Sequence, residues 1–326
     1  MKILVTGGGG LVGGSLASYY KLKGFSVSAP KSTELNLLNK SDVKEFFLAH
    51  EFDLVIHAAA RVGGVLGNQR FPATFISENL EMQNNFLDIA SKSGVGRLVF
   101  IASSCIYPPS AKLPLKEDSL FTGKFEQSNR WYATAKAAGI MQVEAIRLQY
   151  GFNWFSVLPT NIYGIHDNFA LESGHVIPSL LRKFAEAVKY DSERVVIWGT
   201  GKPKREFIHV DDLSSAINHL VESDLRLPEP FMVNIGSCEE VSIMELASII
   251  SEISGFAGQV EFNSQFPDGV YQKTLDSQIL RSTGWTPTIS LKEGLLHTYN
   301  WVFRNLDQLR NKEIVGVETR IGINNE

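Results

Sequence analysis

The chain opens on Lys2-Ile3-Leu4-Val5-Thr6, a short β-branched run without polar alternation, which is the pattern of a strand buried on both faces of a parallel sheet. Gly7, Gly8, Gly9 and Gly10 follow, then Leu11-Val12-Gly13 and a helical spacing that continues to Tyr20. Similar apolar runs recur at 25–29, 53–59, 97–102 and 155–158. Helical spacing fills 78–90 and 133–150 between them. Strands alternating with helices predict an α/β fold: a Rossmann-type, doubly wound parallel sheet with right-handed crossovers.

Beyond residue 163 the alternation weakens. One helix is expected near 177–188, a strand at 195–198, a run at 207–212 that leads into a helix, and a further sheet strand at 232–235. Ser242-Ile243-Met244-Glu245 fits a capping box that opens another helix. The expected organisation is a cofactor-binding Rossmann domain over 1–162 and 206–237. A smaller, interleaved substrate-binding lobe would take 163–205 and 238–311, and a patternless tail would take 312–326.

Composition narrows the partners. Of 326 residues, 44% are hydrophobic and 20% charged, and the net charge of -4 offers no broad attraction to nucleic acid or to an anionic membrane. Basic residues therefore have to be weighed singly, as phosphate ligands in a pocket. The two cysteines, Cys105 and Cys238, make neither a disulfide framework nor a metal-ligand pattern. No basic-then-apolar leader and no apolar run of membrane-spanning length is present, so a reducing, cytoplasmic setting is expected.

The candidate chemistry sits at strand ends. Gly7, Gly10 and Gly13 have the spacing of a turn that closes after a strand, lets backbone approach a pyrophosphate, and hands it to a helix N-terminus. The second strand ends at Ala29-Pro30-Lys31-Ser32, where NAD-binding chains usually carry an acid. Lys31 is a candidate for a 2′-phosphate, or else a solvated surface lysine, and the nearest acid, Glu34, lies a few residues late. Tyr132 and Lys136 are i and i+4 on one helix face, and a lysine charge there is expected to lower the phenol's pKa for acid–base work. Ser103 and Cys105 follow a buried strand, and if that segment is extended they point to the same side. Taken alone, Cys105 reads more simply as an inert buried filler.

Together these residues resemble the extended short-chain dehydrogenase/reductase family, and within it the branch that epimerises and reduces GDP-4-keto-6-deoxy sugars. The similarity runs through Ala58-Ala59-Ala60-Arg61-Val62-Gly63-Gly64, Ser103-Ser104-Cys105-Ile106-Tyr107-Pro108 and the Tyr132/Lys136 pair. It continues through Leu158-Pro159-Thr160-Asn161-Ile162-Tyr163-Gly164, His166-Asp167-Asn168-Phe169 and Gly174-His175-Val176-Ile177-Pro178. Trp198-Gly199-Thr200-Gly201, Arg205-Glu206-Phe207 and Pro267-Asp268-Gly269 complete it.

The resemblance implies an NADP(H)-dependent enzyme that inverts C3 and C5 of GDP-4-keto-6-deoxy-D-mannose and reduces C4, giving GDP-L-fucose. Cys105 and His175 would be its epimerisation pair, one base and one acid, with Ser103, Tyr132 and Lys136 serving the carbonyl. The matching positions around the cofactor are Gly7, Gly10, Leu11, Val12, Gly13, Lys31, Ala58, Ala59, Ala60, Ser103, Tyr132, Lys136, Pro159, Asn161, Ile162 and His175. Asn161, Lys183, Trp198, Arg205 and Lys273 would meet the substrate, and a homodimer paired through helices flanking the Tyr/Lys segment is implied. Without the resemblance Lys183 reads as a solvated helix residue and Trp198 as a core aromatic. The chain departs from the pattern at Arg61, often lysine, at Gly8 and Gly9, where some relatives carry a basic residue, and at Arg130-Trp131, where bacterial relatives show acid-then-proline. A C4 reductase of another GDP-keto sugar, such as a deoxyheptose or 3,6-dideoxy sugar, and a non-catalytic NADP(H)-sensing protein are the alternatives.

Overall fold

The computed structural model describes residues 1–310 except 172–173, 224–226, 228–230 and 267. The tail expected over 312–326, and Pro267 of the Pro267-Asp268-Gly269 segment, lie outside the described residues. In chain order the first half comprises β1 (Lys2–Thr6), α1 (Leu11–Leu22), β2 (Ser26–Ser28), α2 (Lys40–Ala49), β3 (Leu54–His57), α3 (Val65–Arg70), α4 (Pro72–Lys92), β4 (Arg97–Ile101), α5 (Arg130–Tyr150) and β5 (Asn153–Pro159). The second half adds β6 (Asn161–Tyr163), α6 (Val176–Lys189), β7 (Arg194–Trp198), β8 (Lys204–His209), α7 (Val210–Glu222), β9 (Met232–Ile235), β10 (Glu240–Ser242), α8 (Ile243–Ser254), β11 (Gln259–Asn263), β12 (Gln272–Lys273), α9 (Gln278–Ser282) and α10 (Leu291–Arg304).

Six strands form one parallel sheet in the order β2-β1-β3-β4-β5-β9. Side chains alternate through it: Ile3 and Val5 pack with Leu16 and Tyr20 of α1 and Leu213 and Ile217 of α7, whereas Leu4 packs with Phe47, Phe86 and Val143 of α2, α4 and α5. Helices cover both faces, which is why these strands lack polar alternation; each fully buried Ile, Leu or Val contributes roughly 1.5–3 kcal/mol. The chain turns one way from β1 to β2 and the other way to β3, so a crevice opens past the carboxyl ends of β1 and β3.

The smaller lobe packs α6, α8 and α10 around Phe184, Leu246 and Leu295. Beside it, β8 pairs in parallel with β6 and β12 and antiparallel with β10, and β7 pairs with β11. The Ser242–Glu245 capping box is present at α8. An equivalent box, Ser290–Glu293, opens α10. The helix expected over 78–90 begins earlier, with Pro72 in its first turn, where a missing N–H costs nothing. One local expectation fails: Ser104–Ile106 is a 3₁₀ turn, not extended chain, so Ser103 and Cys105 are not brought to one side by strand alternation.

Candidate active site

The glycine turn fills the crevice. Gly7 adopts φ +74°, and the Gly10 N–H donates to the Gly7 carbonyl at 2.9 Å. A Cβ on Gly13 would lie 2.3 Å from the Gly7 oxygen, and one on Gly8 2.7 Å from the Ala29 oxygen. The turn therefore lies flush on α1 and on the end of β2, and a side chain at either position would force them apart. A Cβ on Gly7 would sit 3.0 Å from the Ala59 Cα, which sets the 58–60 segment directly against the turn. Thr6 Oγ1 pins that segment by accepting the Ala59 N–H at 3.2 Å. The amides of Leu11, Val12 and Gly13 open α1 and have no acceptor within the helix, so they are free to meet an anion. Lys31 is exposed at the edge of this crevice, and Glu34 is closer than its sequence position suggested: its carboxylate folds back to accept the Lys31 N–H at 2.7 Å.

At the end of β4, Lys136 Nζ donates to the Ile101 carbonyl at 2.8 Å and lies 4.7 Å from the Phe100 ring centroid and 6.0 Å from that of Tyr132. Burial disfavours its charge and holds its pKa down at about 8. Burial also pushes the Tyr132 phenol well above its ordinary range, with the Cys105 charge adding to the rise. This corrects the expectation that Lys136 lowers the phenol: the ammonium points at Phe100 and Ile101, and desolvation outweighs it. Tyr132 is a firmly protonated donor.

Ser103 and Cys105 are neighbours for a different reason from the one expected. Ser103 caps the 3₁₀ turn, its Oγ accepting the Cys105 N–H at 3.3 Å. Burial raises the Cys105 thiol, opposed first by the Lys273 charge, then by the Ser103 hydroxyl and Lys136. Lys273, expected at the nucleotide, thus has its charge within reach of the thiol. The segment past Cys105 is anchored by Tyr107, whose OH donates to Asn234 Oδ1 at 2.7 Å. Asn234 in turn gives its backbone N–H to Glu117 Oε1 at 2.8 Å.

The second arm of the site belongs to the smaller lobe. Lys183 is no solvated lysine: Nζ donates to the Val196 carbonyl at 2.8 Å and stands 5.4 Å from the Trp198 ring centroid. Trp198 is no core aromatic either; it is 43% exposed and stacks on Phe266 at 4.4 Å. The register between β8 and β12 sets Arg205 opposite Lys273, and Asp268 and Glu126 both act on the Arg205 charge. Buried Glu206 ties this arm together, accepting the Cys238 N–H at 2.7 Å and the Leu275 N–H at 2.9 Å. Asn161 donates to the Glu206 carbonyl at 2.8 Å, Pro159 is paired with Ile235, and Ile162 packs against the sheet core.

Ser103, Cys105, Tyr132, Lys136 and Lys273 thus form one electrostatic cluster, and Arg205 continues it towards Asp268. His175 stands apart from it: it is exposed at the N-cap of α6, and no hydrogen bond, ion pair or ring contact joins it to Cys105 or Tyr132 among the described residues. Sequence reasoning missed Asn129, whose buried Oδ1 lacks a partner among the described residues three positions before Tyr132, as well as Glu126 and Phe266. An asparagine at the helix N-cap was the available signal. Among the described residues no group of His, Cys, Asp and Glu could hold a metal, and no helix is long and apolar enough to cross a membrane.

A family model described as "NAD dependent epimerase/dehydratase family" matches residues 3–236. The chain is 45% identical over 306 residues to "GDP-L-fucose synthase 1" of Arabidopsis thaliana, covering 94% of each chain. Among solved structures it is similar to a GDP-6-OMe-4-keto-L-xylo-heptose reductase from C. jejuni, with a TM-score of 0.86, 32% identity, and coverage of 93% of this chain and 98% of that one. It is similar also to a GDP-L-fucose synthetase from Naegleria fowleri bound to NADP, with a TM-score of 0.86, 29% identity and 95% of each chain covered.

Proposed function

Because the chain belongs to the NAD dependent epimerase/dehydratase family, we propose that it inverts C3 and C5 of GDP-4-keto-6-deoxy-D-mannose and reduces C4 with NADPH, giving GDP-L-fucose. The observation that carries this reading is the Ser103–Cys105–Tyr132–Lys136 cluster, with Cys105 and Lys136 buried and Ser103 and Tyr132 half-buried, set between a glycine cradle and a cationic, aromatic arm. A dinucleotide fits the cradle: Gly7, Gly8 and Gly13 let the turn close tightly on the backbone of its neighbours, Gly9 stands clear, and the Leu11, Val12 and Gly13 amides would hold the pyrophosphate. Ala58–Ala60, Pro159 and Ile162 would flank the rest, with Lys31 as the 2′-phosphate ligand once Glu34 releases its amide. NADPH supplies the hydride for C4.

The chain's own residues account for the proton traffic. Ser103 and Tyr132 would grip the 4-keto oxygen, and that grip acidifies the C–H bonds at C3 and C5 by favouring the enolate. Cys105 and His175 would remove and return the proton on opposite faces. Tyr132, kept protonated by its burial, would then give its proton to the oxygen at C4. Lys136, with a pKa of about 8, is suited to restore that proton near neutral pH. Arg205 offers the diphosphate a two-pronged donor, with Lys183, Trp198 and Asn161 beside the nucleotide.

Residues 1–162 and 206–237 would serve the cofactor, and 163–205 and 238–311 the nucleotide sugar. We infer a homodimer through α4 and α5, where Met141 and Leu148, seven apart on α5, are 48% and 61% exposed. A cytoplasmic setting suits the two free thiols.

The likeness to a heptose reductase favours one competing reading: C4 reduction of a related GDP-keto sugar without epimerisation. A single-turnover reaction with NADPH and GDP-4-keto-6-deoxy-D-mannose, analysed by NMR, separates them. GDP-L-fucose is the expected product; a C4-reduced sugar with C3 and C5 uninverted would overturn the proposal.

A further inference from the structure

The loop between β6 and α6 contains a buried acid that the reaction outlined above does not use. Asp167 is 6% exposed. Its Oδ1 accepts the Asn168 N–H at 2.7 Å, while its Oδ2 is buried with no hydrogen-bond partner among the described residues. A carboxylate oxygen left without a donor inside a protein is costly, so such an atom calls for a partner that arrives later or a reason for the strain.

Backbone geometry points to the partner. The loop doubles back: the Gly174 N–H donates to the Ala170 carbonyl at 2.9 Å, and a Cβ on Gly174 would lie 2.4 Å from that oxygen and 2.8 Å from the Asn168 oxygen. Position 174 is therefore pressed against position 168, and the residues flanking this contact are Asp167 and His175. The charged groups that act on Asp167 are His175, from the start of α6, and Arg310, from the segment after α10. His166, on the same loop, turns its ring away against Trp301, at 5.3 Å. Arg310 gives Nη1 to the Gly9 and His166 carbonyls, at 3.2 and 3.4 Å, and its Nε is buried with no partner among the described residues, but of the two charges His175 acts on Asp167 the more strongly.

We infer that Asp167 is the positioning residue for His175, its Oδ2 accepting the imidazole N–H when the sugar fills the pocket and so fixing the ring's tautomer and its aim at the substrate. The inference rests on the proposed role of His175 in epimerisation. Carboxylates that orient a histidine in this way are familiar partners of acid–base imidazoles, and hydrogen bonds of this kind often tighten only in the loaded enzyme.

The test uses the full chain saturated with NADP⁺, so that no hydride can be delivered, and follows deuterium entering C3 and C5 of GDP-4-keto-6-deoxy-D-mannose across pH 5.5–9. Asp167→Asn keeps the size and the Oδ1 acceptor. Its exchange rate is expected to fall about 10- to 100-fold with KM little changed, the range seen when carboxylate partners of functional histidines are removed. In a His175→Gln background the same change should add nothing further. Wild-type exchange by Asp167→Asn, an equal additional loss in the His175→Gln background, or a loss reproduced in full by Arg310→Met would overturn the inference and assign Asp167 to structure. Normal exchange by His175→Gln alone would instead sink the role of His175 itself, and with it the need for a positioning acid.

Discussion

Two substitutions four residues apart, Gly13→Ala and Gly9→Ala, test how the glycine turn works. A methyl on Gly13 would stand 2.3 Å from the Gly7 oxygen, 2.5 Å from the Gly7 carbonyl carbon and 2.9 Å from the Thr6 oxygen. All three are backbone atoms, so no side chain can swing aside, and α1 must retreat from the turn by roughly 1 Å to restore van der Waals spacing. Overpacking of this kind costs about 1–3 kcal/mol, which lowers the melting temperature by several degrees in a chain of this size. The same retreat withdraws the α1 amides from the pyrophosphate. Weakening one charge-assisted bond by about 1.4–3 kcal/mol raises the NADPH Kd by about 10- to 100-fold. Gly9 is the control: its methyl would meet nothing within 4 Å. Calorimetric titration with NADPH and a thermal melt of each variant decide the matter. Wild-type affinity and melting for Gly13→Ala, or an equal loss for Gly9→Ala, would refute the claim that close packing of helix on turn makes the cradle.

Tyr132→Phe should lose hydride transfer, read as NADPH oxidation, by at least about 100-fold, and should slow C3 and C5 exchange to a smaller extent, since it removes proton donation at O4 outright but leaves Ser103 holding the oxygen. Cys105→Ser should do the reverse, with NADPH binding intact and exchange lost. Lys136 is charged in the unfolded chain below about pH 10.5 but in the fold only below about 8, so its burial destabilises the protein once pH falls through that window and fully below pH 8. Lys136→Met should therefore gain stability relative to wild type on going from pH 11 to pH 7, by up to about 3 kcal/mol, in urea unfolding curves; a pH-independent difference would contradict the buried ammonium. Glu206→Ala leaves the Cys238 and Leu275 amides unpaired in the interior and should cost about 2–5 kcal/mol by the same measurement.

Much of the frame was legible because it is written in short-range physics. Strands covered on both faces show as unbroken apolar runs, and the box at Ser242–Glu245 announces its helix. Helix α2 went unread although Asn39 caps it and Val43 and Phe47 mark its inner face, because only two of its ten residues are buried and the hydrophobic stripe is thin. At the site, the pairing of Tyr132 with Lys136 was readable from spacing, but its electrostatics were not: helical spacing gives adjacency, whereas the raised phenol follows from burial that only tertiary packing supplies. The extended geometry expected around Cys105 fails because Ser103 caps a tight turn, a side-chain-to-backbone bond that competes with strand continuation. Lys273 is set beside Arg205 by the pairing of β12 with β8, a contact across 68 residues that no local pattern encodes, and its charge also reaches Cys105.

The central claim is that one gripped ketone oxygen acidifies the carbons on either side of it before any hydride moves. Wild-type protein held with GDP-4-keto-6-deoxy-D-mannose and NADP⁺ in deuterated water, without NADPH, should place deuterium at both C3 and C5 in the NMR spectrum. A sugar recovered with both positions unlabelled, by protein that nevertheless reduces C4 once NADPH is added, would contradict it.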